Sequence, residues 1–224
     1  VAQRYRPDAC IIGEPSGWER VTLGYKGRIL LDIRTHQPSG HSAGPEASAP
    51  ERCVAVWQRI QAYCQHHNTA YTRLFDQILP SLRHISCGGD GLYEWAKAMV
   101  GIRIPPHVAI DALMHEIGKL GDTHPRLLFR DACQAWQTRK NDPCATAFVR
   151  AIRATGGQPG YLLKTGTADM NVVAPIWQCP IVAYGPGDSA LDHTPHEHVD
   201  IVEFGNGVDT LIAALPLLAQ RLTS

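Results

Sequence analysis

The chain has no long hydrophobic run and no amino-terminal signal segment. Its longest apolar stretches, such as Leu211 to Leu218, are far shorter than the roughly 20 residues that an α-helix needs to cross a bilayer. It also has no C-x-x-C pair among its seven widely spaced cysteines, which argues against a thiolate zinc site or a redox centre. We therefore expect no membrane association and a cytoplasmic location.

The chain has no excess of either charge. Twenty-one Lys and Arg balance 21 Asp and Glu, and the basic residues form no run along the sequence. No RNA-binding motif accompanies them, so nucleic acid is not expected as a partner.

The 224 residues are 44% hydrophobic, which is enough to bury a substantial core. A buried strand is predicted at 8–13, and the alternation over 27–35 is typical of a strand with one wet face. The segment 27–137 is then predicted to run strand, helix, strand, strand, helix, strand, as in a small α+β sandwich with its helices on one face. An α/β pattern resumes after it. We predict an α/β fold with one incomplete α/β domain in two parts, 1–26 and 138–224, split by an inserted α+β domain at 27–137.

Several element boundaries follow from local signals. Ser48 and Glu51 have the spacing of a capping box, which predicts a helix start. Strands are predicted at 82–87 and 95–104, and Pro105-Pro106 is expected to end the second of these and to open a helix. Pro216 is expected to kink or shorten the last helix.

Two segments carry candidate metal ligands. Glu14 follows the first strand, at the kind of sheet edge where ligands collect in α/β folds, although a lone carboxylate there is also typical of a surface or capping residue. His193, His196 and His198 share a loop with acidic residues. This loop is either a metal site or a polar cap on the last helix.

Three further positions have a structural and a functional interpretation each. His41 lies in the glycine-rich loop 39–45, and Arg103 is a cation in a strand. The turn 164–171 offers hydroxyls, a glycine and an amide, or is simply a strand-to-helix turn capped by Thr167 or Asp169.

These segments occur in the order found in one enzyme family. Ile12-Gly13-Glu14-Pro15-Ser16-Gly17, Lys164-Thr165-Gly166-Thr167-Ala168-Asp169-Met170-Asn171 and the loop 184–198 resemble the dinuclear zinc aminoacyl hydrolases, which include acetylornithine deacetylase and succinyl-diaminopimelate desuccinylase. Within that family, the residues 13–19 and 23–28 are most similar to the branch of amino-group carrier protein lysine/ornithine hydrolases.

The resemblance implies that 1–26 and 138–224 form an incomplete zinc-exopeptidase-like catalytic domain and that the insert 27–137 is a lid or dimerisation domain. It also implies a set of residue roles. Glu14 and His193 would bind two zinc ions, with cobalt as an alternative metal. His41 would reach into the partner subunit's active site and stabilise the oxyanion, so the enzyme would be a homodimer formed through the insert. Arg103 would bind a substrate carboxylate. The substrate pocket would be lined by Thr165, Gly166, Thr167 and Asn171.

The implied reaction is hydrolysis of an amide bond that releases lysine or ornithine from a small acidic carrier protein, in lysine or arginine biosynthesis. A deacylase of N-acetylornithine or other N-acyl amino acids is the alternative enzyme, and a non-catalytic dimerisation fragment is the alternative of another class. Family members carry further metal ligands and a glutamate base upstream of the Glu-Pro turn, and none of these maps onto residues 1–13. We therefore expect this chain to be a carboxyl-terminal portion that is inactive by itself.

Overall fold

The computed structural model describes residues 2–41, 43–121 and 125–222. Within them the chain forms nine strands and five helices. In chain order these are β1 (Cys10–Gly13), β2 (Arg20–Tyr25), β3 (Gly27–Pro38), α1 (Ala49–Asn68), β4 (Leu79–Gly89), β5 (Tyr93–Ile104), α2 (Ile110–Gly118), β6 (Arg126–Cys133), β7 (Trp136–Gln137), α3 (Pro143–Ala154), β8 (Gly160–Lys164), α4 (Asp169–Trp177), β9 (Ile181–Tyr184) and α5 (Ile201–Leu222). The α/β fold class predicted from the sequence is confirmed.

The chain divides into two compact units. The first unit contains the residues up to Tyr25 and those from Trp136 onward, and the second contains Lys26–Ala135. Each unit has its own sheet and its own buried apolar core.

The first unit has a five-stranded mixed sheet between two layers of helices. Its strand order is β1-β9-β2-β7, and β8 also pairs with β2. β1 and β9 are parallel, as are β2 and β8. α3 and α5 share one core with Val21, Leu23 and Val182, whereas α4 packs on a second core with Ile181 and Ala183. Helices therefore cover both faces of this sheet.

A β-bulge in β2 decides which way Tyr25 points. The register with β8 shifts between Thr22 and Gly24. Val21 and Leu23 pack with α3 and α5, but Tyr25 packs in the α4 core, because one extra residue reverses the alternation of side chains. β2 was not predicted from the sequence, although its alternating Val21, Leu23 and Tyr25 are a signal for a strand.

The second unit has a four-stranded antiparallel sheet with the order β4-β5-β3-β6. Alternate residues of β3, namely Ile29, Leu31 and Ile33, are fully buried in one core with both α1 and α2. The helices thus cover one face of the sheet, and neither packs on the opposite face. Below we call that opposite face the open face.

Local signals predicted some boundaries and missed others. The capping box at α1 is present: the Ser48 amide donates to Glu51 Oε2 at 2.8 Å, and the Glu51 amide donates to Ser48 Oγ at 3.5 Å. β5 ends at Ile104 as predicted, but α2 begins only at Ile110. The prolines form a turn instead, in which the Val108 amide donates to the Pro105 carbonyl at 3.2 Å.

The expectation that Pro216 would shorten the last helix is wrong. α5 runs without a break from Ile201 to Leu222. Ala214 and Leu218, on either side of the proline, are both buried in the core of the first unit. That burial offsets the hydrogen bond that a proline removes inside a helix.

α5 is also long and apolar enough, by length and composition, to cross a membrane. It nevertheless packs against α3 and buries Gly207, Thr210, Ala214 and Leu218. One buried stripe of this kind is typical of a surface helix that packs on the core of a globular unit.

Lys26 is the largest charged side chain buried in the second unit, with no exposed surface. Its Nζ donates to the carbonyl oxygens of Leu74, at 2.8 Å, and Gln77. Burial lowers the pKa of Lys26 to about 8, against the opposing effect of Asp76.

This burial predicts a pH effect on stability. Between about pH 8 and pH 10.5 the unfolded chain keeps the Lys26 proton while the folded chain loses it, so the free energy of unfolding should rise with pH in this window. A neutral amine still has two N–H groups for its two carbonyl partners. Lys26→Met should lack this rise.

Urea unfolding at several pH values from about 7 to about 10.5 gives the free energy of unfolding of the unaltered protein and of Lys26→Met. The effect is the change with pH in the difference between the two. Lys119→Met, which alters an exposed lysine of the same unit, is the matched control and should follow the unaltered protein. Parallel pH profiles for the unaltered protein and Lys26→Met would contradict the prediction.

Candidate functional site

The first unit brings two of the predicted segments together at one sheet edge. Since β1 and β9 are parallel, in register from Cys10↔Ile181 to Gly13↔Tyr184, the turns that follow them lie side by side. The Ser16 amide donates to the Gly185 carbonyl at 2.8 Å. A Cβ on Gly185 would lie 2.8 Å from the Glu14 carbonyl oxygen. Glycine at 185 therefore permits the close approach that positions Glu14 beside the second loop.

Buried hydroxyls stabilise the Glu14 turn. Ser16 Oγ donates to the Glu14 carbonyl at 3.2 Å and lies 2.8 Å from Thr22 Oγ1. Glu203, in the first turn of α5, accepts from the amides of Trp18 and Gly187 at 3.1 and 3.0 Å, so one carboxylate connects the turns after β1 and β9. None of these hydrogen bonds uses the half-buried Glu14 carboxylate, so it is available to bind a ligand.

The loop after β9 orders its acidic and imidazole side chains through local hydrogen bonds. The His193 amide donates to Glu197 Oε2 at 3.1 Å, and the His193 backbone is left-handed, with φ 61°. A non-glycine residue in this conformation costs energy that the surrounding structure must offset. The His193 side chain is exposed, as are those of His196 and His198. His198 Nδ1 lies 2.7 Å from the His196 carbonyl oxygen.

A cleft of about 300 Å³ lies between this loop and the Glu14 turn. Pro15 lines it from the turn, and Asp188, Asp192, Glu197 and His198 line it from the loop. The cleft is thus bordered by carboxylates and an imidazole, which are ligand types for a divalent cation.

Lys164, at the end of β8, places a positive charge beside the Glu14 turn. Its Nζ donates to the Pro15 carbonyl and lies 5.9 Å from the centre of the Tyr25 ring. Burial lowers the pKa of Lys164, while the charges of Asp192, Glu14 and Asp188 oppose that shift. Carboxylates of both loops therefore act on one ammonium group.

Tyr25 lies in the same electrostatic field. Its hydroxyl is buried and has no hydrogen-bond partner among the described residues. Burial, together with the charges of Glu14 and Asp192, raises the pKa of Tyr25, so the phenol stays neutral. Sequence reasoning missed both Tyr25 and Lys164. Lys164 directly precedes the Thr-Gly-Thr turn, which was a usable signal, whereas Tyr25 depends on the bulge in β2.

The turn 165–168 leads from β8 into α4. The predicted cap at Thr167 or Asp169 is wrong: the N-cap residue is Ala168, and Asn171 Oδ1 accepts from the Ala168 amide at 3.0 Å. Asn171 Nδ2 donates to the Tyr25 carbonyl at 3.4 Å, and the residue is 2% exposed. The side-chain amide of Asn171 bonds the backbone through both its oxygen and its nitrogen, and it therefore holds the turn in place. Thr165, Gly166 and Thr167 form the tip of the turn.

His41 and Arg103 belong to the second unit. His41 lies in the loop after β3, is exposed, and accepts the Ala43 amide at Nδ1 at 3.1 Å. Arg103 lies on the open face, directly opposite Arg28 in the register of β3 and β5, and is half-buried.

Comparison with known proteins identifies the family. The model of the peptidase family M20/M25/M40 matches residues 1–216. The chain belongs to this family. It is 40% identical over 223 residues to the LysW-lysine hydrolase of Deinococcus radiodurans, covering 96% of this chain and 61% of that protein. It is 34% identical over 209 residues to a putative LysW-lysine/LysW-ornithine hydrolase of Thermococcus kodakarensis, covering 92% of this chain and 54% of that protein.

Solved structures share the fold at low sequence identity. Aminopeptidase PepT from Bacillus cereus matches with a TM-score of 0.74 and 13% identity, over 98% of this chain and 59% of that one. The M20 family metallo-carboxypeptidase Sso-CP2 from Sulfolobus solfataricus also has a TM-score of 0.74 and 13% identity, over 97% and 65%. The family resemblance inferred from the motifs is confirmed. The chain spans about three fifths of the length of the curated relatives it matches.

Membership of the family implies a divalent metal, and the donor set of this chain can be tested against that. No cluster of three or more His, Cys, Asp or Glu suited to a metal occurs in the residues 2–41, 43–121 and 125–222. Catalytic zinc takes three protein ligands and an open position. Glu14 and His193 are suitable donor types but do not amount to a site, so these residues by themselves do not fit the metal.

Proposed function

We propose that the protein to which this chain belongs hydrolyses an amide bond and releases lysine or ornithine from an amino-group carrier protein. The observation that carries the proposal is the 40% identity to the LysW-lysine hydrolase of Deinococcus radiodurans over 96% of this chain. The cleft of the first unit agrees with it, since three carboxylates and an imidazole line a space of about 300 Å³, and the charges of Asp188 and Asp192 act on the Lys164 ammonium group.

The metal is proposed to be zinc, with cobalt as the alternative. Glu14 and His193 would be this chain's ligands, and donors other than the described residues would complete the coordination. The chemistry that such a metal would supply is the activation of the attacking water. Asp192, beside His193, has the chemistry to orient an imidazole.

The remaining roles concern substrate and transition state. Arg103 is proposed to bind the carboxylate of the released amino acid, since a guanidinium offers two parallel N–H groups. Thr165, Gly166 and Thr167 would line the substrate pocket, and Asn171 would support that turn from below. His41 is proposed to donate a hydrogen bond to the oxyanion in the partner subunit's active site.

The assembly is proposed to be a cytoplasmic homodimer formed through the second unit. β4 lies at an edge of that unit's sheet, so one side of an 11-residue strand is unpaired. Leu82 and Ile85 on this strand are exposed. An unpaired, partly apolar edge strand is a template for pairing with another chain.

The test is hydrolysis of two substrates by a protein that spans the full length of the relatives. One substrate is the LysW carrier with a lysyl or ornithyl group, and the other is N-acetylornithine. Release of lysine or ornithine from the carrier, with kcat/KM at least about 100-fold above that for N-acetylornithine, is expected, because binding energy from the carrier adds to transition-state stabilisation. A preference for N-acetylornithine would instead assign the enzyme to the small-molecule deacylases.

A further inference from the structure

The open face of the sheet in the second unit concentrates positive charge. Strand register determines which residues share it, since residues directly opposite one another in paired strands point to the same face. Asp32 of β3 lies on the open face, where it accepts hydrogen bonds from Arg34 and Arg130. By register, six cations lie on it: Arg28, Arg34, Lys97, Arg103, Arg126 and Arg130.

The arrangement puts like charges directly opposite one another. Arg28 faces Arg103, and Arg34 faces Lys97 on one side and Arg126 on the other. Like charges in directly opposite positions destabilise an antiparallel pair. These like-charge pairs therefore do not stabilise the sheet.

Arg83 adds a seventh cation at the bulge in β4. Its Cδ lies 3.0 Å from the position that a Cβ on Gly101 would occupy, so its side chain extends over the open face. Burial lowers the pKa of Arg103, and the charges of Arg28 and Arg83 lower it further. Arg28 Nε is buried and has no hydrogen-bond partner among the described residues. Three guanidinium groups thus converge on this face.

Among the described residues, carboxylates pair with Arg34 and Arg130 of this face. Asp32 lies 2.9 Å from Arg34 and 3.2 Å from Arg130, and Asp131 lies 3.2 Å from Arg130. A recess of about 240 Å³ opens beside Asp32 and is lined by Arg34, His84, Ser86, Lys97 and Met99. Because the whole chain carries equal numbers of basic and acidic residues, the surplus is a property of this face.

We propose that the open face is the docking surface for the carrier protein, which it would recognise through carboxylates on the carrier's surface. The inference rests on the proposed function, since that function supplies a carrier protein as the substrate. Arginine suits the task, because its planar fork binds carboxylates through two hydrogen bonds. A basic surface also steers an acidic partner, so association should weaken as salt is added.

The test compares two double charge reversals in a protein of the relatives' full length. Arg34→Glu with Lys97→Glu alters the open face, and Arg150→Glu with Arg153→Glu, on exposed positions of α3, makes the same change of net charge elsewhere. The first pair should raise KM for the lysyl-carrier at least about tenfold and leave kcat within about twofold, because rim charges act mainly on association. The second pair should leave both constants within about twofold of the unaltered protein, since it lies outside the docking surface.

A neutral variant of the open face controls for misfolding caused by the charge reversals. Lys97→Gln with Arg126→Gln adds no repulsion toward Asp32 and should raise KM less than the reversal, with an unchanged circular dichroism spectrum. It should also reduce the dependence of log KM on log salt concentration. Equal KM values for both reversal pairs would overturn the inference, as would an unchanged salt dependence.

Titration with carrier that lacks its lysyl group separates this inference from the proposed function. If the unaltered protein binds that carrier in an open-face-dependent way but does not hydrolyse the lysyl-carrier, the docking surface stands and the proposed function fails. If it hydrolyses the lysyl-carrier and the open-face variants have no effect, the proposed function stands and the docking surface fails. Tighter binding of double-stranded DNA or of anionic vesicles than of the carrier, lost with Arg34→Glu and Lys97→Glu, would also overturn the inference.

Discussion

Glu14→Gln is expected to lower kcat/KM for amide hydrolysis by more than about 100-fold in the full-length enzyme, since even residues that only support metal ligands are worth about 10–100-fold. The amide keeps the size of the side chain but removes the negative charge that a divalent metal requires. Metal content per protein, measured by mass spectrometry after dialysis, should fall in parallel.

The same substitution should have little effect on folding. Within the described residues the Glu14 carboxylate makes no hydrogen bond or ion pair, and only its carbonyl is bonded, by Ser16. Glu46→Gln, which alters an exposed carboxylate of the second unit, is the matched control and should retain both metal and activity. Full activity of Glu14→Gln would remove Glu14 from the proposed metal site.

His41→Ala is expected to lower kcat by about 100- to 1000-fold, the usual effect of removing one donor to an oxyanion. KM should change much less, because the hydrogen bond would be made to charge that develops in the transition state. Folding should be unaffected, since the imidazole is exposed and its hydrogen bond among the described residues is the one from the Ala43 amide.

A mixing experiment then tests whether His41 acts in the partner subunit. A dimer of one His41→Ala and one Glu14→Gln subunit keeps a single site with both residues intact, so an equal mixture that re-associates at random should recover about a quarter of the unaltered activity in a two-fold symmetric dimer. Either variant alone should remain inactive. Failure of the mixture to regain activity, with mixed dimers demonstrated and His41→Ala inactive by itself, would place His41 in its own subunit's site.

Much of the fold could be predicted because its signals are local. The alternation over Ile29, Leu31 and Ile33 and the capping box at Ser48 involve residues within one turn or one strand, and both elements are present. β2 was missed because a bulge interrupts its alternation of side chains. α5 runs through Pro216 because its burial against the first unit outweighs the local preference of proline.

The candidate site shows the same division. Glu14, His193 and the turn 164–171 could be named from their motifs, and the pairing of β1 with β9 explains why the first two segments meet at one edge. The contributions of Lys164 and Tyr25 depend on contacts between segments far apart in the chain, such as Lys164 with the Pro15 carbonyl.

The sequence by itself determined the family and the order of most strands and helices, because motifs and periodicities are properties of neighbouring residues. Tertiary structure alone decided where the charge lies. Along the chain the basic residues are scattered and balanced by acidic ones, yet the register of β3 with β5 and β6 sets Arg28 against Arg103 and Arg34 against Lys97 and Arg126 on one face. Register joins residues that are distant in sequence, and so a neutral chain acquires a strongly basic surface.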